Sequence, residues 1–221
     1  MSYDWVSSIY MFVLVALIVL VAKRILFLNP DIQNLARLNA EQDKKKMAKA
    51  KYPPAVKNSR VAGLVTYALL FIVVIPFSVN ASFNIPLWRY VSDVVLILLL
   101  HDFIYYITHR FLFHGKGYFR RVHALHHQAR QVSNIDGYYV HPVETVMGLM
   151  IFAISIFTVA YLYSGVNIVP AALSFIIFTQ ISIINHTVFN LNYFPFRFIN
   201  YLNSKHHVHP VSYTHLRAHE T

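Results

Sequence analysis

Histidines are grouped along this 221-residue chain at spacings that suit metal binding. The groups read H-x4-H, HxxHH and H-x2-H, and they comprise His109 and His114, then His123, His126 and His127, and finally His206 and His209. Imidazole is a common ligand of iron, zinc, copper and nickel. Cysteine is absent, which leaves histidine and carboxylate side chains to hold a metal. The spacing therefore predicts a polyhistidine metal centre.

The segments between the histidine groups are apolar enough to lie in a bilayer. Hydrophobic residues make up 57% of the chain and charged residues 13%, with a mean hydropathy of +0.47. An ordinary globular domain is about 45–50% apolar and about 25% charged. Runs of the length that a transmembrane helix needs, about 20 residues, occur at 5–21, 61–79, 91–108, 145–163 and 167–184. The sequence predicts an all-α integral membrane protein with four to five transmembrane helices.

Basic residues are concentrated in one polar segment. Residues 29–60 carry eight Lys and Arg against three acids, in a chain of net charge +10. Because Lys and Arg are enriched on the cytoplasmic side of membrane proteins, we place this segment there, and every histidine group then falls on the same side. We expect a cytoplasmic site, in the endoplasmic reticulum of a eukaryote or the cell membrane of a bacterium. The distribution of the charge favours lipid headgroups over nucleic acid as its partner.

Helical spacing decides which histidines share a face. Residues three and four apart on an α-helix are neighbours, so the HxxHH group at 123–127 is predicted to line one face of a helix. His114 lies five residues after His109 and falls off that face of an ideal α-helix. The following Gly115-Lys116-Gly117 would end the helix, and we expect this to let His114 turn inwards.

Polar side chains near the histidines are predicted to orient the imidazoles or to hold the surrounding loops, as outer partners do at metal sites. The set consists of Asp102, Tyr106, Arg110, His141 and Glu144, with Asp136 and Asn185 as further candidates. We expect Arg110 to pair with an acid or to hold a loop. Asp93 lies at the opposite end of its span and is interpreted as interfacial, and His101 is interpreted as a structural residue.

The order of these residues resembles the fatty acid hydroxylase (sterol desaturase) superfamily of membrane histidine-box enzymes. The resemblance runs from about residue 95 to 209 and rests on four motifs, Asp102-x3-Tyr106-x2-His109-Arg110, His114, His123-x2-His126-His127 and His141-Pro142-x-Glu144. It implies eight metal ligands, which are His109, His114, His123, His126, His127, His186, His206 and His209.

The resemblance also implies a reaction and its cofactors. Two iron ions, with zinc as a substitute, would use O2 to hydroxylate or desaturate a lipid in lipid or sterol biosynthesis. A metal is needed because no side chain oxidises an unactivated C–H bond. Electrons would come from a separate cytochrome-type or ferredoxin-type carrier, since the sequence contains no haem, flavin or iron–sulfur motif.

The chain is accordingly predicted to have three parts. Residues 1–60 form a membrane anchor and a basic cytoplasmic loop, and 61–209 form the hydroxylase-like catalytic domain. The last histidine box departs from the family pattern because Pro210 stands where a histidine belongs. The tail 210–221 does not resemble the family, and we expect it to be non-native.

Two other functions are compatible with the same residues. One is a metal-binding or metal-transporting membrane protein. Transporters place their ligands near the middle of the bilayer, whereas these histidines are predicted to collect on one side, which favours catalysis. The other is a catalytically dead family member, for which Pro210 is the sequence evidence.

Overall fold

A computed structural model describes residues 2–82, 84–129, 132–201 and 203. The helices are α1 (Trp5–Leu26), α2 (Pro30–Met47), α3 (Tyr52–Leu69), α4 (Ile75–Ser78), α5 (Leu87–Ile107), α6 (Tyr118–His123), α7 (Pro142–Tyr163) and α8 (Ile168–Ile184), and residues 196–201 are also helical. The strands are β1 (Val79–Asn80) and β2 (Val166–Asn167). Two π-helical segments, Leu70–Val74 and Thr108–Phe113, join α3 to α4 and extend α5.

The predicted all-α membrane architecture is confirmed. Among the described residues, four helical stretches are long and apolar enough to cross a bilayer, namely Trp5–Leu26, Tyr52–Ser78, Leu87–Phe113 and Pro142–Tyr163. The helix α8 is apolar but shorter, with 17 residues, and it packs against α1 and α5. The spans are apolar around most of their circumference because their outer faces meet acyl chains and their inner faces meet one another.

The basic segment 29–60 is helical, although the sequence argument treated it as a loop. Asn29 caps the helix α2, and Pro30 occupies its first turn, where the missing N–H is not needed. The buried residues of α2 recur at four- and seven-residue intervals, at Leu35, Asn39 and Lys46. The second span also begins earlier than predicted, at Tyr52 rather than at residue 61. A search for apolar runs missed α2 and the first turns of α3 because both segments are polar.

The core lies between the spans and is built from side chains of α1, α5, α7 and α8. Its centre is fully buried and includes Met11, Ile97, Phe152, Ile156 and Ala171. Phe152 stacks on Phe178 with the ring centroids 4.9 Å apart. These contacts hold the carboxyl end of α5 beside the amino end of α7, and the histidines cluster at this end.

The opposite end of the bundle is closed by polar contacts. The strands β1 and β2 pair in parallel, Val79 with Val166. Asp93 is fully buried and accepts hydrogen bonds from Arg89 at 3.1 and 3.2 Å. Asp93 lies in the second turn of α5, near the end of its span, and its carboxylate can be buried because the guanidinium one turn earlier pairs with it.

Replacing Asp93 with asparagine should destabilise the protein without affecting the histidines. Removing one partner of a buried ion pair leaves an uncompensated charge and typically lowers the free energy of unfolding by about 3–5 kcal/mol. We expect the lower part of that range, since the Arg89 side chain is 16% exposed. Unfolding of the detergent-solubilised protein measures the change, and Arg89→Met combined with Asp93→Leu should recover most of it. A loss below about 0.5 kcal/mol would contradict the prediction.

Candidate metal centre

The π-helical segment Thr108–Phe113 carries the first histidine pair. In a π-helix each N–H bonds to the carbonyl five residues earlier instead of four, and the His114 N–H donates to the His109 carbonyl at 3.1 Å. Residues five apart therefore share a face. The Nε2 atoms of the two imidazoles are 3.0 Å apart. The change in helical period, rather than a turn after the helix, brings His114 beside His109.

Gly115 is required where the chain leaves this π-helical segment. A Cβ atom at position 115 would lie 2.2 Å from the Phe111 carbonyl oxygen, which is far inside van der Waals contact. Only glycine permits so close an approach of the two backbones. The sequence H-x4-H-G is thus explained by a helix whose last hydrogen bonds span five residues instead of four, and which ends just before Gly115.

His123 lies at the centre of the cluster and is 2% exposed. It ends the helix α6, and its Nδ1 atom is 2.9 Å from a carboxylate oxygen of Glu144 in the first turn of α7. Phe113 stacks on its ring with the centroids 5.0 Å apart and the planes inclined by 11°. Its Nε2 atom is buried and has no hydrogen-bond partner among the described residues. One nitrogen of His123 is thus held, and the other faces the cluster.

Three further imidazoles extend the cluster beyond His123. The His127 ring centroid is 4.5 Å from that of His123, and the His126 centroid is 5.3 Å from it. His186, just after α8, lies 5.1 Å from His126 by the same measure. The HxxHH group is not one helical face as predicted, because α6 ends at His123 and the 3-10 turn His126–Gln128 follows. The turn nevertheless keeps these rings adjacent.

The arrangement fits a metal ion. One ligand nitrogen from each of His109, His114 and His123 lies within 4.8 Å of the others. Two nitrogens bonded to one ion at about 2.1 Å would be about 3.4 Å apart in a tetrahedral site. At the right angles of an octahedral site they would be about 3.0 Å apart. This matches the 3.0 Å between the Nε2 atoms of His109 and His114. Neutral imidazoles suit both iron and zinc.

The other predicted residues occupy varied positions. Glu144 contacts a histidine directly, whereas His141 caps α7 by accepting a hydrogen bond from the Val143 N–H at 3.2 Å. Arg110 donates to the Tyr106 hydroxyl at 2.7 Å instead of pairing with an acid. Asp102 is on an exposed face of α5, and Asn185 follows the end of α8.

Asp136 lies in a separate polar cluster. Its carboxylate accepts hydrogen bonds from Lys46, from the Tyr52 hydroxyl and from the Ser133 N–H. No described histidine contacts this carboxylate. Sequence analysis did not foresee this arrangement, since Lys46 and Asp136 are 90 residues apart in sequence.

His206 and His209 lie outside the described residues, as does the tail 210–221. Six of the eight predicted ligands are therefore described, and all six belong to one continuous group of rings. His101, interpreted as structural, is buried in α5 about two turns before His109. Its ring packs edge-on against Phe178 with the ring centroids 4.7 Å apart.

Comparison with known proteins relates the histidine-bearing part of the chain to lipid-oxidising enzymes. Residues 94–218 match the family model for fatty acid hydroxylase. A stretch of 66 residues is 35% identical to methylsterol monooxygenase 2-2 of Arabidopsis thaliana and covers 29% of this chain and 24% of that protein. A stretch of 111 residues is 31% identical to very-long-chain aldehyde decarbonylase GL1-11 of Oryza sativa subsp. indica and covers 46% of this chain and 41% of that protein.

The alignments cover less than half the length of these relatives. No solved structure matches the chain. The family match extends to residue 218 and so includes most of the tail that we expect to be non-native.

Proposed function

The chain belongs to the fatty acid hydroxylase family, and on that premise we propose that it is a membrane-bound, O2-dependent oxidoreductase that hydroxylates or desaturates a lipid at a centre of two iron ions. The observation that carries this proposal is the convergence of His109, His114 and His123 at one end of the membrane-spanning helices. Relatives named as a methylsterol monooxygenase and an aldehyde decarbonylase support a lipid as the substrate class.

Bound iron would supply the activation of O2 that no side chain provides. The role of the protein is to present the ligands in the correct form. As an ionised carboxylate, Glu144 would only accept a hydrogen bond, which would keep the His123 proton on Nδ1 and leave the Nε2 lone pair available for a metal. We propose His126, His127 and His186 as ligands of a second ion, together with His206 and His209.

Aromatic rings pack against the imidazoles of the centre. The Tyr105 ring centroid is 5.6 Å from His109, and the buried Phe113 ring is 5.0 Å from His123. These rings exclude water from the imidazoles. On the same helical stretch Tyr106 and Phe111 are exposed on the surface of the protein. We propose that the substrate approaches along this face, so that its apolar chain reaches the centre without crossing water.

The test is oxidation of lipids by the purified full-length chain, loaded with ferrous iron under anaerobic conditions. We expect about two irons per chain. After addition of 18O2, a chemical reductant and representative sterols, fatty acids and fatty aldehydes, mass spectrometry should detect an 18O-labelled product or the loss of two hydrogens. Metal binding without O2 consumption would favour a catalytically dead protein. Uptake of zinc or iron into proteoliposomes would favour a transporter.

A basic surface near the centre is our proposed docking site for the electron carrier. The α2–α3 corner has five exposed lysines, which are Lys44, Lys45, Lys49, Lys51 and Lys57. Lys51 links this corner to the histidine region by its contact with Gln128, which follows His127. A positive patch accelerates association with an acidic partner and makes the rate depend on ionic strength.

Reversing charge at this corner should weaken reduction by an acidic carrier. We expect a triple change of Lys44, Lys45 and Lys49 to glutamate to slow carrier-dependent turnover about tenfold or more at low ionic strength. Turnover with a small chemical reductant should be unaffected. The matched control changes the same lysines to arginine. Equal salt dependence in the glutamate and arginine variants would contradict this docking site.

A further inference from the structure

Residues 133–139 form a short segment, here called the Asp136 loop, whose buried carboxylate contacts both α2 and α3. The loop is also held by the Ile135 N–H, which donates to Asp43 of α2 at 2.9 Å. Asp136 is 1% exposed. It accepts hydrogen bonds from the ammonium group of Lys46 on α2, from the hydroxyl of Tyr52 on α3 at 3.0 Å, and from the Ser133 N–H at 2.8 Å. A buried charge is tolerated when it is paired and its remaining acceptor sites are satisfied. This carboxylate meets both conditions.

One side of the Asp136 loop supports His186. The Gly137 backbone packs against the His186 side chain. A Cβ atom added at Gly137 would already be in van der Waals contact with it, at 3.5 Å from the His186 Cβ and 3.6 Å from its Cγ. Beside it, the Thr187 hydroxyl donates to the Asn134 side chain at 2.7 Å. His186 in turn lies 5.1 Å from the His126 ring. The position of the loop thus affects the position of a ring at the edge of the cluster.

The other side of the loop reaches the HxxHH group. Tyr139 is 1% exposed and stacks on Tyr52 with the ring centroids 4.0 Å apart. Its hydroxyl donates to the Gln128 side chain at 3.4 Å. Gln128 belongs to the 3-10 turn that carries His126 and His127. Tyr52 therefore contacts both the carboxylate of the loop and the ring that touches this turn.

We propose that Asp136 is a positioning residue of the metal centre. Without touching a described histidine, it fixes the loop that supports His186 on one side and the His126–Gln128 turn on the other. The Lys46–Asp136 ion pair makes α2 and α3 part of the scaffold of the centre. The inference rests on the proposed function only in requiring that the histidines bind metal.

Cobalt binding tests the proposal without any catalytic assay. The full-length chain is loaded with Co2+, and the visible ligand-field spectrum, the metal stoichiometry and the affinity in competition with a chelator are measured. Asp136→Asn keeps the shape of the side chain but removes its charge. We expect the variant to bind cobalt 10–100-fold more weakly, as when other outer partners are lost, with an altered spectrum. Tyr52→Phe, which removes one of the three donors, should shift affinity and spectrum in the same direction by a smaller amount.

Asp93→Asn is the matched control, because Asp93 is equally buried and ion-paired but lies at the other end of the bundle. It should lose stability and keep the cobalt spectrum. Equal effects of Asp136→Asn and Asp93→Asn, or no effect of Asp136→Asn, would overturn the positioning role and leave the proposed function standing. Where Asp136→Asn does not fold, an unchanged spectrum in Tyr52→Phe overturns it. Failure of the unaltered chain to bind cobalt would overturn both proposals.

Discussion

Replacing His123 with alanine is expected to abolish lipid oxidation and to lower metal affinity by at least about 100-fold, beyond the range for loss of an outer partner. His123 is the most buried described imidazole of the cluster and lies within 5.3 Å, between ring centroids, of His109, His114, His126 and His127. Its removal takes away a proposed ligand nitrogen and leaves the Glu144 carboxylate buried without its partner. Metal analysis after gel filtration, together with the 18O2 assay, measures both losses.

The control for this prediction is His101→Phe. His101 is also a buried histidine, but it lies on α5 about two turns before His109 and packs against Phe178 and Phe152. A phenyl ring should replace it in this apolar contact, with metal content unchanged. Retention of full metal content by His123→Ala would exclude His123 as a ligand. An equal loss in both variants would indicate a general effect of disturbing the helices.

The second large effect is expected for Glu144→Gln, which should reduce metal affinity and kcat/KM by 10–100-fold, or about 1.4–2.7 kcal/mol. Glutamine is nearly the same size as glutamate but has lost its charge. If the amide oxygen of the glutamine faces His123, its NH2 group takes the place of the second carboxylate oxygen of Glu144. That oxygen is buried and has no hydrogen-bond partner among the described residues, so the NH2 group would have none either. If its NH2 group faces His123, the imidazole must carry its proton on Nε2, which then no longer binds metal.

Metal titration of Glu144→Gln and of Glu144→Asp distinguishes the effect of the negative charge from the effect of side-chain length. The aspartate keeps the charge but withdraws the carboxylate by about one carbon–carbon bond, about 1.5 Å, so it should recover part of the affinity. Glu41→Gln, on the exposed side of α2, controls for loss of a negative charge elsewhere. Wild-type affinity in Glu144→Gln would mean that the His123 tautomer is set by another group.

Local patterns in the sequence were sufficient to predict the membrane class and the ligand set to be examined. A long apolar run has few alternatives to a transmembrane helix, and closely spaced histidines such as His123 and His127 remain close in most backbone conformations. The contact between His123 and Glu144 was expected only in outline. Its two residues are 21 positions apart, and their approach depends on how α6 meets α7.

The sequence argument failed where a local period was assumed or where a distant partner decided the outcome. His114 was expected to turn inwards because the helix ended, and it does lie beside His109, but a π-helical segment that nothing in residues 108–113 announces brings it there. The polar composition of 29–60 concealed α2, whose buried Lys46 is stabilised by a carboxylate far along the chain. Arg110 was expected to pair with an acid or to hold a loop, but it contacts the hydroxyl and ring of Tyr106 on its own helix.

The π-helical segment that carries the first histidine pair can also be understood as an α-helix holding one supernumerary residue. Each backbone hydrogen bond there spans five residues instead of four, so the extra residue is accommodated within the last turn before the chain leaves the helix at Gly115. Taking out one residue between His109 and His114 would convert H-x4-H into H-x3-H, and an ordinary α-helix presents residues four apart on one face. The two imidazoles therefore meet when their spacing in sequence equals the number of residues that each backbone hydrogen bond spans. That spacing is five residues in a π-helix and four in an α-helix.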